Sequence, residues 1–256
     1  MTFAEYYGLP EGTNATLTYA SFYSTLGKDF PCPPNMDYAF GNENRRIILQ
    51  RLDMSQVNSM NHMLDSCNSL NYIEGIEDWD VSNVTNMEYM FGSCRNLTSL
   101  DLSNWDTSKV TKMEYMFYFC NKLTSIKLNG DTTVNVTNMN GIFSGCDALE
   151  SISALRADNV VFPSYNGPFG DMKKLVNFGG FIGLKSSIIA ANYAFNKAPN
   201  LSYESCINVL NGLYDFVGNG ETPSSSQGKL KVHQNFLNLV GDEISIGTNK
   251  GWTITA

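Results

Sequence analysis

Basic residues are scarce in this chain: 17 Lys and Arg stand against 25 Asp and Glu in 256 residues, for a formal charge of −8. A surface that grips nucleic acid neutralises phosphates with clustered Lys and Arg, so this balance excludes a nucleic-acid footprint. Histidine is scarcer still. His62 and His233 are the only two, they fall in unrelated contexts, and no H-E-x-x-H, G-x-S-x-G or phosphate-loop pattern occurs. That leaves no motif on which to found an enzyme, a metal centre or a cofactor site, and none is expected. Absent too is any apolar run of about 18–20 residues, the length a membrane-spanning helix needs. Residues 1–14 show no basic stretch followed by an apolar one, so no secretory signal is read there. Gly and Pro are too few for a fibrous or disordered polypeptide.

What is present is a repeat, and it organises the chain. Asp78–Leu102 (DWDVSNVTNMEYMFGSCRNLTSLDL) returns at Asn104–Leu128 as NWDTSKVTKMEYMFYFCNKLTSIKL, and the frame extends both ways in steps of 27 and then 26 residues. One apolar column reads Val57, Val84, Val110, Val136, Phe162, Ile188; a second reads Leu64, Phe91, Phe117, Phe143, Phe169, Phe195. A third reads Leu70, Leu97, Leu123, Leu149, Leu175, Leu201. Within a unit, Val84, Met87, Met90 and Phe91 keep helical spacing, and Thr85 with Glu88 makes the T-x-x-E capping pattern, so one short helix per unit is expected. After Gly92 the period falls to two, with Leu100 and Leu102 alternating with Ser99 and Asp101, which predicts one short strand. Such a unit cannot bury both apolar faces alone. Stacked neighbours, with strands in a parallel sheet, would make one continuous core. In the fifth rung Pro168 replaces the residue equivalent to Met90, so its helix is expected to be shortened or replaced by turns.

The expected architecture is an α/β repeat solenoid, leucine-rich-repeat-like and right-handed. Each rung of roughly 26 residues would hold one short helix and one short parallel β-strand, between distinct caps. Residues 51–201 form the solenoid. Residues 1–50 form the N-terminal cap region, with Tyr6, Tyr7, Tyr19 and Tyr23 off the repeat and a degenerate first rung from Met36. Residues 202–256 form the C-terminal cap: a helix carrying Ile207, Leu210, Leu213, Phe216 and Val217, a mobile loop from Gly218 to Gly228, and short strands at 229–232 and 252–255. These flank a helical stretch that stops at Gly251. The whole makes a single continuous domain.

The units beginning WDVSNVTNMEYMF and WDTSKVTKMEYMF resemble the BspA-like leucine-rich-repeat family of bacterial surface proteins, whose members repeat W-D-x-S-x-V-T-x-M-x-x-M-F-x-x-C-x-x-L. The tail at Ile244 to Ile254, ISIGTNKGWTI, is similar to the terminal segment of many such proteins from gut bacteria and their prophages. The resemblance implies a curved solenoid used in adhesion to host or microbial proteins, placed on the cell surface or outside it, with no catalytic residues to carry over.

Cys67, Cys94, Cys120 and Cys146 occupy one column that passes to Met172 and Ala198. A buried thiol ladder is the favoured reading, because those replacements ask only for volume. A disulfide between adjacent rungs and a metal site are the alternatives. Asp53, Asp80 and Asp106, each two residues before a Ser, suggest either a calcium ladder or local turns closed by side-chain acceptors, the latter favoured.

Side chains pointing outward from a stacked parallel sheet align from rung to rung and are free to vary. The ligand-binding face is therefore expected in two columns: Tyr72, Ser99, Ser125, Ser151, Asn177, and beside it Glu74, Asp101, Lys127, followed by Ser153 and Gly179. Against this stands a plain hydrated sheet surface, since Trp, Tyr and Arg are sparse there. The function so expected is non-enzymatic binding or display, with a protein ligand held on the exposed face of the sheet. A phage or prophage tail-associated component, docked through residues 1–50, is the alternative.

Overall fold

The computed structural model describes residues 30–41, 52–73, 75–162, 167–188, 195, 197–225 and 227–256. The aromatic residues Tyr6, Tyr7, Tyr19 and Tyr23, and Glu74 on the expected face, lie outside the described residues.

The period-two segments are strands, and they pair in parallel at the repeat step. Strands β1 (Phe30–Pro31) and β2 (Leu52–Asp53) form one small sheet. A four-stranded sheet runs in the order β3 (Ser99–Leu102), β4 (Ser125–Leu128), β5 (Ser151–Ile152) and β7 (Asn177–Phe178). Leu100 sits opposite Ile126, Ile126 opposite Ile152, and Ile152 opposite Phe178. A second ladder joins β6 (Leu155–Arg156) to β8 (Phe181–Ile182).

The three apolar columns meet in the interior. Phe91, Phe117 and Phe143 are 0% exposed, with ring centroids 5.7 and 5.9 Å apart and planes within 5°. Phe169 and Phe195 continue the column, and one apolar cluster extends from Cys32 to Trp252. All six cysteines are buried thiols, none of them in a disulfide. The Cys67, Cys94, Cys120 and Cys146 thiols each donate to a carbonyl of the rung before, those of Phe40, Leu64, Phe91 and Phe117, at 2.9–3.1 Å.

The T-x-x-E segments correct the sequence reading: they are not helices. Among the described residues, the stretches containing Met87–Phe91 and Met113–Phe117 are successive turns joined by isolated parallel bridges through Asn35, Ser59, Asn86, Lys112 and Asn138. A helix would send each N–H to the carbonyl four residues back. Here alternate N–H groups cross to the next rung: those of Met87, Tyr89 and Phe91 donate to the Lys112, Glu114 and Met116 carbonyls at 2.9–3.0 Å. Between them, the Met90 N–H closes a turn on the Met87 carbonyl three residues back, and the Glu88 N–H goes to a side chain. Left-handed backbone makes this path possible. Tyr38, His62, Tyr89 and Tyr115 have φ between 52° and 57°, Ser66, Ser93 and Phe119 have φ between 55° and 61°, and the fourth rung places Gly141 and Gly145 at the two equivalent positions.

The predicted threonine caps are absent for the same reason. Thr85, Thr111 and Thr137 donate both N–H and hydroxyl to the carbonyl of the rung before, Asn58, Thr85 and Thr111 respectively. Turn closure falls instead to asparagine. Asn86 Oδ1 accepts the Glu88 N–H at 2.9 Å, and Asn138 Oδ1 the Asn140 N–H at 3.0 Å.

A second correction concerns the rung that begins at Val57: among the described residues, it forms no strand. From Leu70 to Trp79 it has one residue more than the stretch from Leu97 to Trp105. That extra residue breaks the alternation, and the chain leaves the sheet through Gly75, at φ 77°, into a 3-10 turn over Ile76–Asp78. Strand β3 thus becomes the first in its sheet.

At the other end, α1 (Tyr203–Gly212) opens with the Ser202 hydroxyl accepting from the Ser205 N–H. The expected helix through Phe216 stops at Gly212, where a Cβ would lie 2.0 Å from the Phe181 carbonyl oxygen. Leu213 instead bridges to Leu184, and the Lys250 ammonium donates to the Leu210, Asn211 and Leu213 carbonyls. Strands β9 (Lys229–Lys231) and β10 (Thr253–Thr255) pair in parallel, with α2 (Gln234–Val240), a 3-10 turn and α3 (Ser245–Thr248) between them. Among the described residues, no helix is long and apolar enough to cross a membrane.

Candidate binding face

Alternation along β3 and β4 buries Leu100, Leu102, Ile126 and Leu128 and turns their neighbours outward. Ser99, Ser125, Ser151 and Asn177 oppose one another in register, so the first expected column is continuous across the sheet. Tyr72 stands at its head, outside the ladder, with 61% of its surface exposed.

The second column behaves differently along its length. Asp101 faces Lys127, and their charged groups meet at 2.9 Å on the surface. The Ser103 hydroxyl and the Lys127 ammonium hold the Asp101 carboxyl below its usual range. So exposed a pair contributes at most about 1 kcal/mol, which leaves both groups free to exchange partners. Ser153 is different. Its hydroxyl accepts the Leu128 N–H at 2.8 Å and donates to the Leu128 carbonyl, so it patches the ladder rather than facing solvent. Gly179 is there because a Cβ would come within 2.3 Å of the Ala154 nitrogen.

The departure of the chain at Gly75 leaves an open notch of about 360 Å³ beside β3. Tyr72, Ile76 and Glu77 line one wall and Ser99, Asp101 and Asn104 the other. Three of the expected face residues, Tyr72, Ser99 and Asp101, are thus brought together, while Ser125, Ser151 and Asn177 lie further along the sheet. Glu77 is an addition: as one of an acidic pair with Asp78 it reads from sequence as solvated surface, and nothing local marks it as part of a wall.

The turn face carries a feature that the sequence reading passed over. Tyr38, His62, Tyr89 and Tyr115 stack in line at centroid spacings of 4.6–4.8 Å, each from a left-handed residue. His62 also meets Asp65 at 2.8 Å. Burial in the stack, followed by the neighbouring phenols of Tyr115 and Tyr118, pushes the Tyr89 hydroxyl up to about 12. Burial, then the Glu88 carboxylate, raises Glu114. The signal was available, because Tyr89 and Tyr115 recur inside the M-E-Y-M motif.

The aspartate column closes local turns. Oδ1 of Asp53, Asp80 and Asp106 accepts the N–H of Ser55, Ser82 and Ser108 at 2.9–3.1 Å, and the serine hydrogen bonds keep Asp80 and Asp106 acidic. Among the described residues, no group of three or more His, Cys, Asp or Glu is placed to hold a metal ion. The thermal midpoint is therefore expected to stay within about 1 °C in EDTA or added calcium, since an ion bound by the folded chain alone would raise it. A rise of many degrees with calcium would assign the column to metal.

Over residues 34–155, just under half of its length, the chain is similar to the family described as Mycoplasma protein of unknown function, DUF285. Neither a curated protein nor a solved structure matches it.

Proposed function

We propose that this chain is a non-enzymatic binding protein, a leucine-rich-repeat-like solenoid of the BspA-like kind displayed at a bacterial cell surface. It recognises a protein ligand through the exposed face of the parallel sheet. The observation that carries this reading is the head of that face, where a largely exposed tyrosine overhangs a notch walled by Glu77, Ser99 and Asp101. An aromatic anchor beside a recess is what concentrates energy in a protein interface. The rest of the face supports it in another way: small polar side chains in register let a partner's backbone approach closely, and the weak Asp101–Lys127 pair offers charge of both signs. A net charge of −8 keeps such a surface soluble and turns it away from nucleic acid.

The test uses an array of purified cell-surface and extracellular-matrix proteins probed with the full chain. Tyr72→Ala combined with Lys127→Glu is expected to weaken capture of whatever binds by about tenfold or more, the cost of losing an anchor and a charge at an interface. Both side chains are exposed, so the unfolding midpoint should hardly change. Undiminished capture by the double variant would remove this face from consideration.

A further inference from the structure

The two edges of the four-stranded sheet are finished differently. Past β7 the Phe178 N–H finds the Ser205 hydroxyl at 2.9 Å, and that hydroxyl donates in turn to the Val176 carbonyl, so the first turn of α1 stands in for a further strand. Past β3, no group among the described residues does this. Within the sheet, residues at the Asp101 position donate backward: the Ser153 N–H reaches the Ile126 carbonyl at 3.2 Å and the Gly179 N–H the Ile152 carbonyl at 3.0 Å. By the same register the Asp101 N–H and Ser99 carbonyl point toward Ile73, which has left the plane, and among the described residues neither is bonded there.

The gap is bounded and short. The Thr98 N–H still reaches the Asn71 carbonyl at 3.4 Å, and the Trp105 indole N–H donates to the Ile76 carbonyl at 2.8 Å. Between these two ties the notch follows β3 over Ser99–Leu102. An extended chain advances about 3.3 Å per residue, so three or four residues match this length. An unpaired strand edge is a template for main-chain hydrogen bonds, and alternate side chains of the added strand face outward, here toward Tyr72, Glu77 and Asp101.

We infer that the open edge of β3 accepts a short extended segment of a partner protein as an added strand, with a lysine or arginine of that segment held between Glu77 and Asp101 beside the Tyr72 ring. This rests on the reading of the sheet face as the binding surface and names the chemistry of its partner. The charge of the notch selects the side chain: among the described residues, Glu77 and Asp101 are its acidic ones and no basic residue lines it. The Lys127 ammonium that holds Asp101 is exposed and free to turn away. The Tyr72 ring supplies a face for the cation.

The full chain is panned against a phage-displayed library of linear random heptapeptides. Enriched sequences should carry a Lys or Arg among β-branched residues. As synthetic peptides they should lose about tenfold or more in affinity for Glu77→Lys, and as much when the amide of the residue beside the basic one is N-methylated. Glu77 is exposed, so that variant should fold as the parent does. Peptides that ignore both changes but weaken against Lys127→Glu would overturn the added strand while leaving the wider face standing. Peptides indifferent to Glu77→Lys, N-methylation and Lys127→Glu alike would count against both, and a library that yields no enrichment would overturn the edge inference alone.

Discussion

Phe117→Ala should remove about 3–5 kcal/mol of unfolding free energy, the range for deleting a buried phenyl ring when the surroundings relax only partly. Phe117 is 0% exposed and lies between the rings of Phe91 and Phe143, at 5.7 and 5.9 Å, in planes nearly parallel to its own. Its neighbours cannot collapse into the space, because each is held in its own rung by N–H bonds to the next, as Phe91 is to Met116 and Phe117 to Ile142. Urea unfolding followed by tryptophan fluorescence reads the loss through Trp79 and Trp105, which stack at 6.1 Å. Phe119→Gly, two residues on, is the contrast. Its ring is 39% exposed and its φ is 55°. Relief of a left-handed side-chain conformation offsets the lost contact, for a net change within about 1 kcal/mol. If the two variants cost the same, the phenylalanine column is not the shared interior described above.

Alkali should unfold the protein steeply. Burial holds the Cys32, Cys94, Cys120 and Cys146 thiols far above their ordinary value of 9.0 and pushes Cys206 up to about 11. In the unfolded chain these thiols ionise near 9.0, while in the folded chain they remain protonated. The unfolded form then binds fewer protons, and stability falls as pH rises above 9. Each such thiol removes about 1.4 kcal/mol per pH unit until its own folded value is reached. Five of them make roughly 5–7 kcal/mol by pH 10, comparable with the whole stability of many domains. Tyrosines contribute as well, so the decisive comparison is the slope. The Cys94→Ala, Cys120→Ala variant should lose stability less steeply between pH 9.5 and 10.5, by about 2.4 kcal/mol per unit. Equal slopes in parent and variant would mean that these thiols are not held protonated by the core.

The columns of Val, Phe, Leu and Cys were legible because packing demands volume and polarity at a fixed step, and a 26-residue recurrence displays that demand directly. Backbone conformation was not, because a spacing of three and four residues suits both a helix and a chain of turns interrupted by left-handed residues. Met87, Met90, Phe91 and Cys94 bury the same face either way. The discriminating residues were Gly141 and Gly145: glycine at both positions where other rungs carry Tyr115 and Phe119 points to positive φ. At the candidate face, Tyr72, Ser99 and Asp101 followed from the period of two. Glu77 did not, because it enters the notch only through the extra residue before Trp79. That residue shows in the 27-residue step, but a step says nothing of where within a rung the surplus falls.

The crossing amide bonds have a consequence for how this molecule fails. A helical repeat keeps its own main-chain bonds when a neighbour is lost, so it can persist as a partly ordered fragment. Here half of a turn segment's amides are answered only from next door. Unzipping one rung therefore leaves N–H groups of the preceding one without acceptors and carbonyls of the following one without donors at the same stroke, and a proteolytic nick in the middle would loosen the chain in both directions.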